Sequence, residues 1–141
     1  METWHLLGHL LIALLISAFI YSKTKKVKYI FLCIFISFAI DVDHFFDYWI
    51  AYGFNLNLVK FFDLDFFKIN GKVFVPFHSW ELIATILLLS KFIEKYNVVL
   101  LIIGLAVFGH VLWDMISYKI AIIDYSLIYR AMHSFQVECR Q

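Results

Sequence analysis

The sequence is poor in charge and in breakers of regular structure: 16% of its 141 residues are charged and only one is proline. That excludes an ordinary soluble domain, whose charged share is about a quarter. No excess of one sign is present either, since the net charge is +1. A nucleic-acid surface concentrates Lys and Arg, whereas here the basic residues cluster only between apolar segments, so no direct DNA or RNA binding is expected. Two cysteines, Cys33 and Cys139, are too few for a disulfide framework. The N-terminus lacks a basic leader region and a small-residue cleavage site. Its apolar run carries His5 and His9, so it reads as a retained span rather than a signal peptide. No repeat or low-complexity stretch is evident.

What the chain has instead is 63% hydrophobic and 20% aromatic residues, gathered in runs that approach the roughly 20 residues a helix needs to cross a bilayer. The expected architecture is a single all-α membrane domain of about four transmembrane helices, with spans near residues 4–21, 27–49, 77–92 and 96–118. Residues 51–76 are too polar to span and too apolar to be a free loop, and are expected in the interface. Asn70-Gly71 could turn a short hairpin there, and helix and hairpin both stay open. Apolar residues at 120, 123, 127, 128, 132 and 135 suggest an amphipathic helix over 120–137, in a tail that could cover the bundle or lie on the membrane.

Short loops rich in Lys mark the cytoplasmic side. Lys23, Lys25, Lys26 and Lys28 join the first two spans, and Lys91 and Lys95 join the last two. Both termini and the 51–76 segment are therefore expected on the other side.

Ionisable side chains inside spans cost several kcal/mol unless they face the bundle interior, pair, or bind an ion. This chain places His5, His9, Asp41, Asp43, His44, Asp47, His78, Glu81, His110 and Asp114 there. Counted from the cytoplasmic lysines, His9, Asp41, His78 and His110 each lie roughly 20 Å deep at about 1.5 Å per residue. Four helices thus bring a His or Asp to one level in the outer half of the membrane. His5 and His9, and His110 and Asp114, are spaced i,i+4; Asp41 and His44, and His78 and Glu81, are spaced i,i+3, so each pair is expected on a shared helix face.

Imidazole and carboxylate together suit a divalent transition metal such as zinc, with one or two ions per chain given the surplus of donors. The expected metal ligands are His9, Asp41, His78, His110 and Asp114. Asp43, His44 and Glu81 are expected to act as general base or to orient a ligand. His5 reads as a hydrogen-bonded packing residue, and Asp47 as either a ligand or a group that orients one. The four tryptophans fit an aromatic belt, and Gly8, Gly104 and Gly109 fit close helix packing.

Asp41-Val42-Asp43-His44 resembles a DxDH signature, Phe77-His78-Ser79 the end of an HRxxTHS signature, and Gly109-His110 through Asp114 an HxxxD signature. In that order, with His9 as the early histidine, residues 5 to 118 resemble the LexA-binding, inner-membrane-associated metal-dependent hydrolases. The resemblance implies a membrane-bound metal-dependent hydrolase with Asp41, Asp43, His44, His78, His110 and Asp114 as site residues. Ile40 stands where the family has proline, and Val75-Pro76-Phe77 replaces its His-Arg approach. Arg130 and His133 are the tail residues available to substitute in space. A looser similarity of chemistry runs to zinc-dependent phospholipases C.

The expected function is hydrolysis of a phosphoester or related ester bond in a lipid or amphiphile that enters from the outer leaflet. An ion- or proton-coupled transporter or channel subunit is the alternative, and a scaffold that uses polar residues as helix glue is a third. A relay would spread ionisable groups through the depth of the membrane, and the cytoplasmic halves of the spans lack them.

Overall fold

The computed structural model describes residues 3–136, and over them the chain is helical, with no strand among the described residues. Cys139 and the last residue of the expected tail helix, Val137, lie outside the described residues.

Three helical stretches are long and apolar enough to cross a membrane: Thr3–Thr24, Lys28–Tyr52 and Glu94–Tyr118. The first is one helix, α1 (Thr3–Thr24). The second comprises α2 (Lys28–Ala39), a 3₁₀ turn (Ile40–Asp43) and α3 (His44–Tyr52). A 3₁₀ turn has three residues per turn, so residues i and i+3 eclipse. Asp41 and His44 therefore project to the same side at the break. Two short helices follow, α4 (Leu58–Asp63) and α5 (Phe66–Asn70), and then α6 (Trp80–Phe92) and α7 (Asn97–Tyr118), joined by a 3₁₀ turn at Glu94–Tyr96. The tail carries a 3₁₀ turn (Ile122–Tyr125) and α8 (Leu127–Met132).

At 13 residues and about 1.5 Å per residue, α6 is roughly 20 Å long. It begins at Trp80 and not at Phe77, because Pro76 precedes the turn and Ser79 caps the helix, its Oγ accepting from Leu82 N at 3.3 Å. His78 is thus outside the helix, and the expected helix face shared by His78 and Glu81 does not form.

Residues 51–76 resolve the choice between helix and hairpin in favour of helices. Gly71, at φ 59°, ends α5 in the left-handed conformation that glycine adopts freely. Beyond it, Val73 N donates to Phe135 O at 2.9 Å, and Lys72 bridges Gln136, so the extended piece pairs with the tail. Phe61 and Phe66 close around Tyr48 to make an aromatic cluster between α3 and these helices. The tail is broken by Ser126 into a 3₁₀ turn and a short helix, not one amphipathic helix, and it packs on α6, where Trp80 Nε1 donates to Ile122 O at 2.6 Å.

The bundle core comprises α1, α2, α6 and α7, with α7 against the other three. Buried residues recur every three or four positions along α1: His5, Gly8, His9, Ala13, Ser17 and Ile20. Large apolar side chains such as Leu15, Phe31, Phe35 and Phe92 lie exposed on the outside, as expected of surfaces that face lipid. Among helices in lipid, close approach supplies the dispersion contacts that hold the bundle. Gly8 is the tightest such contact: a Cβ there would lie 2.0 Å from the indole of Trp113. Trp113 in turn donates Nε1–H to His5 O at 3.0 Å.

Gly8→Ala is therefore expected to destabilise the protein by about 1–3 kcal/mol through overpacking. A thermal melt in detergent that moved less than the scatter between preparations would contradict this packing.

Candidate metal centre

The converging ionisable residues come from four parts of the chain. His5 and His9 sit one turn apart on α1, His110 and Asp114 one turn apart on α7, Asp41 and Asp43 in the 3₁₀ turn of the second stretch, and His78 just before α6. They converge. His5 Nε2 and His9 Nε2 lie 3.3 Å and 3.1 Å from Asp114 Oδ1, and 2.9 Å from each other. Asp41 Oδ1 lies 3.4 Å from His78 Nε2 and 3.2 Å from His110 Nε2, and those two nitrogens are 3.2 Å apart. The other oxygen of Asp114, Oδ2, is 3.6 Å from His78 Nε2 and 3.2 Å from His110 Nε2. One carboxylate therefore reaches both groups. His9 and His110 also stack, with centroids 3.9 Å apart.

The outer hydrogen bonds decide which imidazole nitrogens face inward with a lone pair. His110 Nδ1 is 2.6 Å from Ser37 O; a carbonyl only accepts, so Nδ1 carries the proton and Nε2 is bare when the ring is neutral. His78 Nδ1 is 3.1 Å from Asp43 Oδ2 and equally close to Oδ1, and a carboxylate imposes the same tautomer. Ser117 directs its hydroxyl to Asp114 O at 3.3 Å and so accepts from His5 Nδ1 at 2.9 Å. His9 Nδ1 is buried without a hydrogen-bond partner among the described residues.

Two bare lone pairs on His78 and His110, facing each other beside two carboxylate oxygens, repel unless a proton or a metal cation lies between them. The donor set fits a metal ion. In a tetrahedral zinc site with bonds near 2.0–2.1 Å, neighbouring donors are about 3.3 Å apart, and the distances within both groups fall around that value. Three buried or half-buried carboxylates, Asp41, Asp43 and Asp114, with neutral imidazoles would otherwise carry uncompensated charge, which costs several kcal/mol per ion. These buried His and Asp groups could hold a metal ion.

The remaining polar residues build the wall. The segment before His78 is held from two sides. Asp47, wholly buried, accepts from Phe74 N at 2.9 Å and Val75 N at 3.2 Å. Asp43 accepts from Phe77 N at 2.7 Å. From the tail, Arg130 donates to Phe74 O at 2.7 Å, Val75 O at 3.3 Å and His78 O at 3.0 Å. Burial lowers the Arg130 guanidinium pKa, and the carboxylates of Asp43, Glu81 and Asp47 oppose that shift. Held between Asp47 and Arg130, Val75 adopts φ 21°, which costs a β-branched residue on the order of 1–3 kcal/mol. His133 lies away from the centre, its Nδ1 donating to Tyr129 O at 2.8 Å.

Glu81 lies elsewhere. Its carboxylate accepts from Ser126 Oγ, from Leu127 N at 2.9 Å and from Ile128 N at 3.2 Å, capping α8. The reason is the late start of α6, which turns position 81 toward the tail instead of toward His78. His44 is at the edge of the centre: its Nδ1 donates to Asp41 O at 3.0 Å, its ring packs against His78, and it lines a cavity. Sequence reasoning took His5 for a packing residue, although its i,i+4 spacing to His9 was noted and was the signal that pointed to the centre. The role of Arg130 carried no local signal beyond its being a tail cation.

Comparison with known proteins yields no relative: no family model, no curated protein and no solved structure matches the chain.

Glu81→Gln is expected to cost about 1–3 kcal/mol through the weakened cap, while the loss of melting temperature on adding a chelator stays as in the parent. His110→Ala should show the reverse, with the chelator effect abolished. A chelator effect lost in Glu81→Gln would return that residue to the centre.

Proposed function

We propose that the chain is a membrane-embedded metal-dependent hydrolase acting on a phosphoester or related ester bond of a lipid or amphiphile. The observation that carries this reading is the carboxylate of Asp114, with one oxygen in each of two His-containing donor groups. Zinc, as one or two ions per chain, suits that donor set. In this reading α6 and the segment before it form a fourth span. The lysine turns are cytoplasmic, and the centre faces the extracytoplasmic side of a prokaryotic inner membrane. The resemblance of Asp41-Val42-Asp43-His44, His78-Ser79 and His110 to Asp114 to the inner-membrane hydrolase family supports the same activity.

His5, His9 and Asp114 Oδ1 would hold one ion, and Asp41, His78, His110 and Asp114 Oδ2 a second. A bound metal supplies a water of near-neutral pKa and polarises the phosphoryl oxygen. Asp43 fixes the tautomer of His78 and Ser37 O that of His110, so both rings present a lone pair without rearrangement. His44 donates Nδ1–H to Asp41 O, which leaves Nε2 as an acceptor with no partner among the described residues. In the reaction a water oxygen bonds to phosphorus, the bond to the alcohol oxygen breaks, and the proton lost by water passes to His44 Nε2 and on to the alcohol.

The test is to incubate purified protein, loaded with zinc, with a mixed polar-lipid extract and follow released headgroups or phosphate by mass spectrometry. Asp114→Asn and His110→Ala are expected to lower turnover at least about a hundredfold, more than is lost when an outer partner of a metal ligand is removed. Equal release by parent and variants would assign the activity elsewhere, and no release from broad lipid and phosphoester panels would contradict the reading. For orientation, cysteines placed beside Lys25 and Lys95 should label from the cytoplasm and one beside Asn57 from the opposite side; cytoplasmic labelling at Asn57 would reverse the placement.

A further inference from the structure

A cavity of about 640 Å³ opens from the metal centre. His5, Asp41, His44, His78 and Asp114 form its floor. Its walls come from the short helices α4 and α5 with the extended piece after them, and from the stretch that runs from Tyr118, at the end of α7, into the tail. The side toward α4 and α5 is apolar and aromatic, with Phe61, Phe62, Leu64, Phe67 and Val73. Phe62 is half exposed, so this wall continues to the outside of the protein, where lipid would lie.

Charge on the lining is uneven. Away from the floor it carries three cations, Lys68, Lys119 and Arg130, against one carboxylate, Asp124. Lys68 shares its charge with Asp65 at 3.7 Å, whereas Lys119 has no ion pair among the described residues. Arg130 is buried, with a side-chain nitrogen, Nε, bonded to nothing among the described residues.

The size of the cavity limits the ligand further. An acyl chain that reaches through half of a hydrocarbon core of about 30 Å, with a cross-section of roughly 25 Å², fills roughly 400 Å³. One chain and a phosphate fit the cavity. A site of this volume, mostly apolar with a few convergent polar groups, is also the usual form of a small-ligand pocket.

From the floor, the cations and the apolar wall together we infer that the cavity binds a single-chain anionic amphiphile, a phosphate monoester of one alkyl or acyl chain. With metal ions offsetting the carboxylates of Asp41 and Asp114, the phosphate would rest on the floor within reach of the cationic lining, and the chain would lie along Phe61, Phe62, Phe67 and Val73. This assignment rests on the hydrolase reading for the ions on the floor and for what happens to the phosphate, but the binding itself does not require turnover.

The test uses the full chain, loaded with zinc, in detergent, with Cys139→Ser to remove one thiol; Cys33 is buried. Phe67→Cys reports occupancy through the rate at which a maleimide reacts there, and Phe62→Cys, on the same wall and half exposed, serves if the first variant does not fold. The ligands are hexyl phosphate, octyl phosphate, octanol, octyltrimethylammonium and inorganic phosphate. Octyl phosphate should protect at concentrations at least about tenfold lower than hexyl phosphate, since each buried methylene is worth roughly fourfold in affinity. Octanol, the ammonium compound and inorganic phosphate should each protect at least about tenfold less well than octyl phosphate. Val73→Trp, which fills the wall, should weaken octyl phosphate about tenfold. Protection by octanol equal to that by octyl phosphate would overturn anion recognition, and equal protection by hexyl and octyl phosphate would overturn the chain site.

A second measurement, phosphate release by zinc-loaded protein, separates the two claims. Faster release from a lysophosphatidate than from the diacyl phosphatidate with the same chain supports both. Protection by octyl phosphate without release from any monoester overturns hydrolysis and keeps the ligand class. Equal release from the lyso and diacyl forms overturns the ligand class and keeps hydrolysis.

Discussion

Asp114 puts one carboxylate between two sets of imidazoles inside an apolar bundle, and most of the surrounding structure serves that arrangement. A carboxylate at such a depth is stable only with opposite charge or donors at both oxygens. Here Oδ1 faces His5 and His9 on α1, and Oδ2 faces His78 and His110. Close contact of α1 and α7 is therefore a condition of the site as well as of the fold, and Gly8 under Trp113 is where that contact is tightest. The same indole bonds the carbonyl of His5, so packing and the orientation of a candidate ligand depend on one side chain.

His78 is the exception among the converging residues because no helix carries it. Helical neighbours are fixed by their own backbone hydrogen bonds, whereas the segment 74–78 has to be held by side chains. Asp43 and Asp47 take its N–H groups, and Arg130 takes its carbonyls. These partners come from α2–α3 on one side and from the tail on the other. The tail in turn is anchored on α6 through Glu81 and Trp80. A chain of contacts thus links the C-terminal segment to the ring of His78, with Val75 at an unfavourable φ between Asp47 and Arg130.

Much of this was legible in residue spacing. Charge-poor runs and Lys-rich turns pointed to four spans, of which three are membrane-length helices and the one over 77–92 is a helix of 13 residues, and counting from the lysines put His9, Asp41, His78 and His110 at one depth. The i,i+4 pairs on α1 and α7 followed from helical period alone. What periodicity could not supply was anything set by the non-helical pieces. Pro76 and the Ser79 cap delay α6, which moves His78 off the helix and turns Glu81 to α8, and a count of residues treats both as helical. His5 was assigned to packing because a lone intramembrane histidine is most often that, and its partner Asp114 lies 109 positions away in sequence. Arg130 has the same difficulty, since its acceptors are backbone carbonyls, which leave no trace in the pattern of side chains.

Whether these donors hold a metal ion can be read by elemental analysis of protein purified without a histidine tag or added metal. At least one equivalent of a transition metal, zinc foremost, is expected in the parent, and a clear loss in Asp114→Asn, where the carboxylate that reaches both donor groups is gone. Folded, monodisperse parent protein that carries no transition metal and takes none up on incubation with zinc would contradict it.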